Sequence, residues 1–188
     1  MAKLKAKDNL APIQNQIMEL IDPHSEVIEL GCGIGDLLLR LSPKIKTGLG
    51  IDTSRKAIDD AIRLRDKRNI HNVDFACTEL GPGFTCPDTY DYSVASLFFH
   101  VVSLLEAVYL LNRMREISHT VLICGFSRPK TLDHKILMWL DQRFSKHYGN
   151  FKGYQEQGYM KGLLERVQCR KVITYNTHIP FLKIYELN

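Results

Sequence analysis

The sequence has no Cys-x-x-Cys pair, and its five cysteines, at 32, 77, 86, 124 and 169, are an odd number. Ribbon-type zinc spacing is therefore missing, and a disulfide framework is not expected. Cys32, Cys77 and Cys124 fall in or beside apolar runs, where reduced core thiols of a cytosolic protein belong. No apolar run is long enough to cross a bilayer: the richest, Leu97 to Leu111, is interrupted by His100, Ser103 and Glu106. The beginning, Met1 to Asp8, has three lysines and lacks the apolar centre of a signal peptide. A cytoplasmic protein with no membrane partner is the expectation. A dense basic stripe is also missing, since 25 Lys and Arg face 21 Asp and Glu for a net charge of +4. That balance permits an anionic partner without requiring one. There is no internal repeat, low-complexity tract or dividing linker, and 188 residues suit one domain with a full core.

What the chain does contain is organised around residues 26–41. Val27, Ile28 and Leu30 read as a short buried strand, and Asp36 to Leu41 as the first turns of a helix. Between them stand glycines at 31, 33 and 35. Glycine is needed where backbone turns tightly or approaches a ligand closely, because a Cβ would occupy that space. A strand, glycine turn and helix open a doubly wound α/β domain, with the ligand outside the carboxyl end of the strand.

The rest of the chain continues that rhythm. Residues 9–21 predict an amphipathic helix with Pro12 near its start and Asp22-Pro23 after its end. Strands are expected at Thr47 to Asp52, Val73 to Cys77, Tyr90 to Ser96 and Thr120 to Phe126. Helices are expected from Arg55 to about Arg68, capped by Ser54, and from Leu104 to Ile117. Residues 131–168 depart from the alternation. Helical segments from Leu132 to about Lys146 and from Tyr154 to about Val167 flank a connector holding Tyr148, Gly149, Phe151, Gly153 and Tyr154. Arg170 to Thr177 and Phe181 to Leu187 then read as an antiparallel hairpin, because the turn between them is too short for a parallel crossover.

Spacing separates the nucleotide chemistries that use glycine turns. A phosphate-cradling loop needs Gly-Lys-Ser/Thr at its end, and no lysine follows here. A dinucleotide fingerprint needs its third glycine where this chain has Asp36, which disfavours a nicotinamide dehydrogenase. The pattern present is acid-x-Gly-x-Gly-x-Gly, with Glu29 two residues before Gly31. An acid there suits a cationic ligand and would repel a pyrophosphate. The stretch resembles motif I of the class I S-adenosylmethionine-dependent methyltransferases.

That resemblance implies an α/β, Rossmann-like, mostly parallel seven-stranded sheet of order 3-2-1-4-5-7-6. The last strand would be antiparallel, with helices on both faces and a helical insert between strands 5 and 6. It divides one methyltransferase domain, 1–188, into an N-terminal helix (1–24), a cofactor-binding core (25–126), a helical cap (131–168) and a C-terminal hairpin (169–188). The implied cofactor is S-adenosyl-L-methionine. Glu29 would lie near its methionine moiety, with Gly31, Cys32 and Gly33 as the cradle. Asp52, at the end of the second strand, would accept from the ribose hydroxyls with Thr53 beside it. Thr78, Glu79 and Leu80 stand where the family usually carries a Gly-Asp pair facing the adenine; Glu79 departs from that pattern.

The fourth-strand stretch narrows the acceptor. The Asn/Asp-Pro-Pro-Tyr/Phe run of base and glutamine methyltransferases is absent, and Cys86 before Pro87 does not match the nucleophile of cytosine enzymes. Clustered acids for a metal site after strands four and five are missing, so no metal is expected. Ser96-Leu97-Phe98-Phe99-His100 resembles the Ser-x-x-Leu-His-His run of small-molecule methyltransferases such as those of ubiquinone and menaquinone biosynthesis. Ser96 and Leu97 would then pass beside the cofactor and His100 near the transferred methyl, as a candidate base. The resemblance thus implies a small-molecule methyl acceptor. An RNA or protein methyltransferase, or a non-catalytic cofactor-binding subunit, is the alternative. Trp139, Phe144, Tyr148, Phe151, Tyr154 and Tyr159 offer aromatic surface for an organic acceptor.

Overall fold

The computed structural model of the chain describes residues 6–143, 147–169 and 171–188. Phe144, the helix end expected near Lys146 and the strand start expected at Arg170 lie outside the described residues.

Five parallel strands form first: β1 (Glu26–Leu30), β2 (Thr47–Asp52), β3 (Val73–Cys77), β4 (Tyr90–Ser96) and β5 (Ser118–Phe126). They are joined through α2 (Asp36–Leu41), α3 (Arg55–Lys67) and α4 (Leu104–Ile117). With β6 (Val172–Asn176) and β7 (Leu182–Leu187) the sheet runs β3-β2-β1-β4-β5-β7-β6, and β7 is antiparallel to both neighbours. The expected fold is therefore observed. Val27 and Ile28 of β1, Val94 and Ala95 of β4, and Val121 to Cys124 of β5 are buried, as suits central strands covered on both faces. β6 is largely exposed along its length and accordingly takes an edge. Strand order reverses between β1 and β4, which leaves a crevice at their carboxyl ends.

Local chemistry sets the helix boundaries. Ser54 accepts from the Ala57 N–H at 3.3 Å and starts α3 as expected. A reciprocal box starts α4: the Ser103 N–H donates to Glu106 Oε2 at 2.7 Å, and the Glu106 N–H to Ser103 Oγ at 3.3 Å. α1 spans Ala6–Leu20, so Pro12 lies inside the helix and not near its start. Buried Ile13 and Ile17, one turn apart, anchor the helix beyond the break in its ladder that proline makes. Asp91 accepts from the Glu26 N–H at 2.7 Å and ties the start of β1 to β4.

The insert differs from its expected form. It contains three helices, α5 (Leu132–Gln142), α6 (Tyr148–Glu156) and α7 (Tyr159–Arg166). The glycine-rich connector is itself α6. Gly149 and Gly153 face open space, while Phe151 and Tyr154, three apart, are buried together. Tertiary burial of that aromatic pair outweighs the roughly 1 kcal/mol per glycine that opposes a helix.

Three phenylalanine contacts set the spacing at the head of the sheet. A Cβ on Gly35 would collide with the Phe75 ring, and one on Gly50 would stand 2.7 Å from Phe75 Cε1 and 2.9 Å from Cys32 Sγ. A Cβ on Gly31 would collide with Phe98. Only Gly33 of the glycine turn has nothing within 4 Å of its Cβ position. Gly35→Ala combines overpacking with a left-handed φ of 74° and should cost roughly 2–4 kcal/mol. Gly33→Ala, at φ 56° but with free space, should cost only about 1–2 kcal/mol. Urea unfolding of both variants measures the difference; equal midpoints would refute the role given to Phe75.

Candidate functional site

The site grows from the end of β1. The Gly31 and Cys32 N–H groups both donate to the Ile51 carbonyl, at 2.8 and 3.0 Å, and Gly35 N–H donates back to Cys32 O at 2.9 Å. These bonds curl residues 31–35 over the tip of β2, with φ of 72°, 56° and 74° at the three glycines. Asp52 closes the arrangement. One carboxylate oxygen accepts from the Gly33 N–H and the other from the Ser54 N–H, each at 2.8 Å. An ionised carboxylate has about four acceptor positions, so Asp52 retains capacity for further donors. Its backbone carbonyl accepts from Thr78 N–H at 3.1 Å, and the Cys77 thiol donates to Thr53 O at 3.5 Å. Gly33, Asp52, Thr53 and Thr78 are thereby brought into one neighbourhood.

Glu29 lies beneath this turn. It is 4% exposed, and its Oε2 is buried without a hydrogen-bond partner. Burial, and then the charges of Asp36 and Asp52, push its carboxyl well above the ordinary carboxylate range. Burial raises the neighbouring Cys32 thiol as well, reinforced by Glu29 and Asp52, so that cysteine stays protonated. The charges of Asp36 and Asp52 beside an open glycine backbone make a small region of negative potential, to which Glu29 adds when a cation allows it to ionise. Such a site disfavours pyrophosphate and suits a ligand with positive charge.

Leu97, at the tip of β4, has a φ of 52°, a conformation uncommon for a non-glycine residue and concentrated at functional sites. Its N–H donates to Cys124 O at 2.9 Å, which holds the bend against β5. The bend drives Phe98 onto Gly31, so residues 96–98 do pass beside the glycine turn. Ser96 is half-buried and bonded to the Cys124 thiol. Leu80 is buried, whereas Thr78 and Glu79 are exposed.

His100 stands among rings. It packs edge-on against Phe126 at 4.9 Å and Phe151 at 6.2 Å, and those two meet at 5.6 Å. Burial, aided by His147, lowers its pKa to about 4, so the imidazole is neutral and weakly basic. Phe151, Tyr154 and Tyr159 of the insert are buried, Tyr148 is half-buried and Trp139 is exposed. Sequence reasoning missed Phe75 and Phe98 as the fillers of the glycine turn, and Phe126 and Phe181 as the aromatic floor. Phe126 and Phe181 stack at 6.3 Å. The available signal was an aromatic residue in or just after each of β3, β4 and β5, and just before β7.

Residues 27–119 match the family model described as a methyltransferase domain. That match and the sheet order β3-β2-β1-β4-β5-β7-β6 support a class I S-adenosylmethionine-dependent methyltransferase. Solved structures share this methyltransferase architecture. Magnesium protoporphyrin IX methyltransferase from Synechocystis PCC 6803, solved with bound SAH, superposes with a TM-score of 0.68 at 18% identity, covering 99% of this chain and 87% of that one. The PH0226 protein from Pyrococcus horikoshii OT3 gives 0.73 at 14% identity, covering 99% and 92%. A tRNA (uracil-5-)-methyltransferase homolog A from Mus musculus is 35% identical over 66 residues. That match spans 34% of this methyltransferase and 11% of the mouse protein. Among the described residues no group of acids, histidines and cysteines is placed to hold a metal, and no helix is long and apolar enough to cross a membrane.

Two buried groups give the ligand-free methyltransferase opposite pH dependences. The raised Glu29 pKa favours folding below its unfolded value, and that stability is lost as pH rises through the folded value. The lowered His100 pKa contributes stability above about 6.5 that is lost as pH falls towards about 4. Glu29→Gln should remove the loss on the alkaline side and His100→Gln the loss on the acid side. Urea midpoints measured across pH 4–8 check both; an unchanged Glu29→Gln profile would contradict the burial of that charge.

Proposed function

We propose that this protein transfers a methyl group from S-adenosylmethionine to a small, largely apolar acceptor. The observation that carries the reading is Glu29, a buried carboxylate with an unpartnered oxygen, set with Asp36 and Asp52 under an open cradle at Gly33. That donor set fits a cationic sulfonium and amino group and an uncharged ribose. When bound, the cofactor supplies a methyl group already activated for displacement.

The chain's residues then have limited tasks. Glu29, with the field of Asp36 and Asp52, holds the positive end. The backbone at Gly31, Cys32 and Gly33 lies against the cofactor, and the spare acceptor positions of Asp52 take the ribose hydroxyls. Thr53, Thr78, Glu79 and Leu80 border the adenine, and Ser96 and Leu97 border the reacting end. Phe98, His100, Phe126 and Phe151 keep water out and orient the acceptor. Such positioning can lower the barrier by up to about 7–11 kcal/mol. His100 serves better as a wall of the acceptor pocket than as a base, because its burial weakens its basicity. The expected cap role of residues 131–168 is supported by α6, whose Asn150 side chain donates to Val101 O at 2.7 Å beside His100.

The mouse tRNA methyltransferase match favours RNA as a second reading of the acceptor. Against it stands the aromatic, uncharged wall around His100. Asp52→Asn should weaken S-adenosylmethionine binding at least tenfold by calorimetry, because hydrogen bonds to a charged acceptor are worth about 1.5–3 kcal/mol each. Unchanged affinity in a folded variant would remove Asp52 from the ribose. Labelled methyl from the cofactor should appear in small apolar compounds and not in total RNA. Labelled RNA, bound with a steep salt dependence, would reverse the acceptor assignment.

A further inference from the structure

α5 is amphipathic in the inverse sense. Leu132, Ile136 and Trp139, spaced i, i+4 and i+7, share one face, and that face points to solvent at 71%, 47% and 42% exposure. Leu137 beside them is also exposed. The opposite face carries His134, Met138 and Gln142 and is turned to the body, with Met138 and Gln142 buried and the His134 ring 5.7 Å from Phe181. A helix that displays Leu132, Ile136 and Trp139 beside exposed Asp133 and Lys135 has an apolar surface still to be covered.

The surroundings of that face are cationic. Lys130 and Lys135 are exposed at its near end, and the Arg143 guanidinium lies 4.5 Å over the Trp139 ring at its far end. Lys130 and Lys135 also line a cleft of about 900 Å³ with Arg128, Lys161 and Lys183, where only Glu156 and Glu165 oppose them. Among the described side chains of the helix Asp133 is an exposed acid, and the helix sequence also carries Asp141. An exposed apolar stripe with Trp, Lys and Arg at its margins is the pattern of a helix lying in a bilayer interface.

We propose that α5 and the adjoining basic cleft dock this protein on an anionic lipid surface. The outward side chains of α5 enter the acyl boundary, and Lys130, Lys135 and the cleft cations face anionic headgroups. The charge pattern decides for lipid over a second copy of the chain. An isologous contact through α5 would bring two such clefts against each other, cation to cation. This binding does not depend on the acceptor reading, and it departs from the expectation of no membrane partner, which rested on the absence of a span. Where the acceptor reading also holds, it has a route. From His134 the rings of Phe181, Phe126 and His100 follow in contact, at 5.7, 6.3 and 4.9 Å, from the inner side of α5 to the tips of β4 and β5. An apolar acceptor dissolved in the bilayer would be delivered beside that path.

The test uses the full chain with extruded vesicles of phosphatidylcholine alone or mixed with phosphatidylglycerol. Trp139 is the only tryptophan, so its emission reports this helix alone. Phosphatidylglycerol vesicles should shift the emission to the blue and carry the protein in sedimentation. Binding should weaken with salt and be much lower on phosphatidylcholine. A Leu132→Ser/Ile136→Ser variant should lose at least tenfold in partitioning with unchanged urea midpoint and unchanged S-adenosylmethionine affinity, which separates docking from the methyl-transfer reading. Lys130→Glu/Lys135→Glu should lose the preference for anionic vesicles. Absence of both shift and sedimentation at millimolar lipid would overturn the proposal, as would equal partitioning of wild type and the serine variant. A wild-type dimer by light scattering that becomes monomeric in the serine variant, without vesicle binding, would give the face to a second copy instead.

Discussion

One ring sets the geometry at the head of the sheet. Phe75 projects from β3 into the space that Gly35 and Gly50 leave open, and the Ala61 Cβ stands 3.2 Å from where a Gly35 Cβ would be. The β1–α2 turn, β2, β3 and α3 therefore converge on a single aromatic side chain. Close packing around a ring leaves little freedom for any of the four to shift alone. The hydrogen bonds from Gly31 and Cys32 to Ile51, and from Gly33 to Asp52, join the same turn to β2. Two of the three glycines in the turn thus serve side-chain packing, and one leaves a backbone surface free.

On this rigid base the protein keeps an electrostatic cost unrelieved. An isolated carboxyl in an apolar interior normally acquires a donor or is replaced, since leaving it unpaired costs several times what a good hydrogen bond returns. Glu29 has neither solution at its Oε2. Together with the left-handed Leu97 it marks the place where local stability is given up, and both lie at the carboxyl ends of β1 and β4, where the strand order reverses. A ligand able to neutralise Glu29 would relieve that cost on binding.

The legible part of the fold was the part governed by local pattern. Alternating apolar runs and capping residues placed β1 to β4 and α2 to α4 within a residue or two, because the strands bury their apolar residues and α3 and α4 are capped by Ser54 and Ser103. β5 begins two residues before its expected start, since Ser118 is held by its own bond to Met114 O at 2.8 Å. β6 and β7 begin inside their expected bounds. α6 was not legible, because its glycines argue against a helix and only the burial of Phe151 and Tyr154 in the assembled structure overrides them. At the site, Gly33 could be read from the turn its backbone must make, while Glu29 and Asp52 were singled out by the resemblance to the methyltransferase motif. The packing duties of Gly31 and Gly35 could not, because their partners Phe98 and Phe75 are distant in sequence. The inverted faces of α5 were hidden as well: periodicity shows that a helix has two faces and does not say which one meets the body.

The placement of β7 between β5 and β6 has a consequence for the order of assembly. β6 pairs only with β7, so although it leaves the ribosome earlier it has nothing to join until β7 arrives. β1 to β4 can meanwhile settle with their own helices, because each has its partners already synthesised, and β5 joins along its β4 edge. α6 can already pack on β5, through Phe151 on the Phe126 ring and Tyr154 on the Phe126 carbonyl, so it is β6 that waits to be drawn in when β7 pairs with β5 across a long sequence separation. Closing that separation late is the slow, entropically expensive event of such a topology. Chains ending just before Leu182 should therefore hold a protected β1–β5 core beside an unpaired β6.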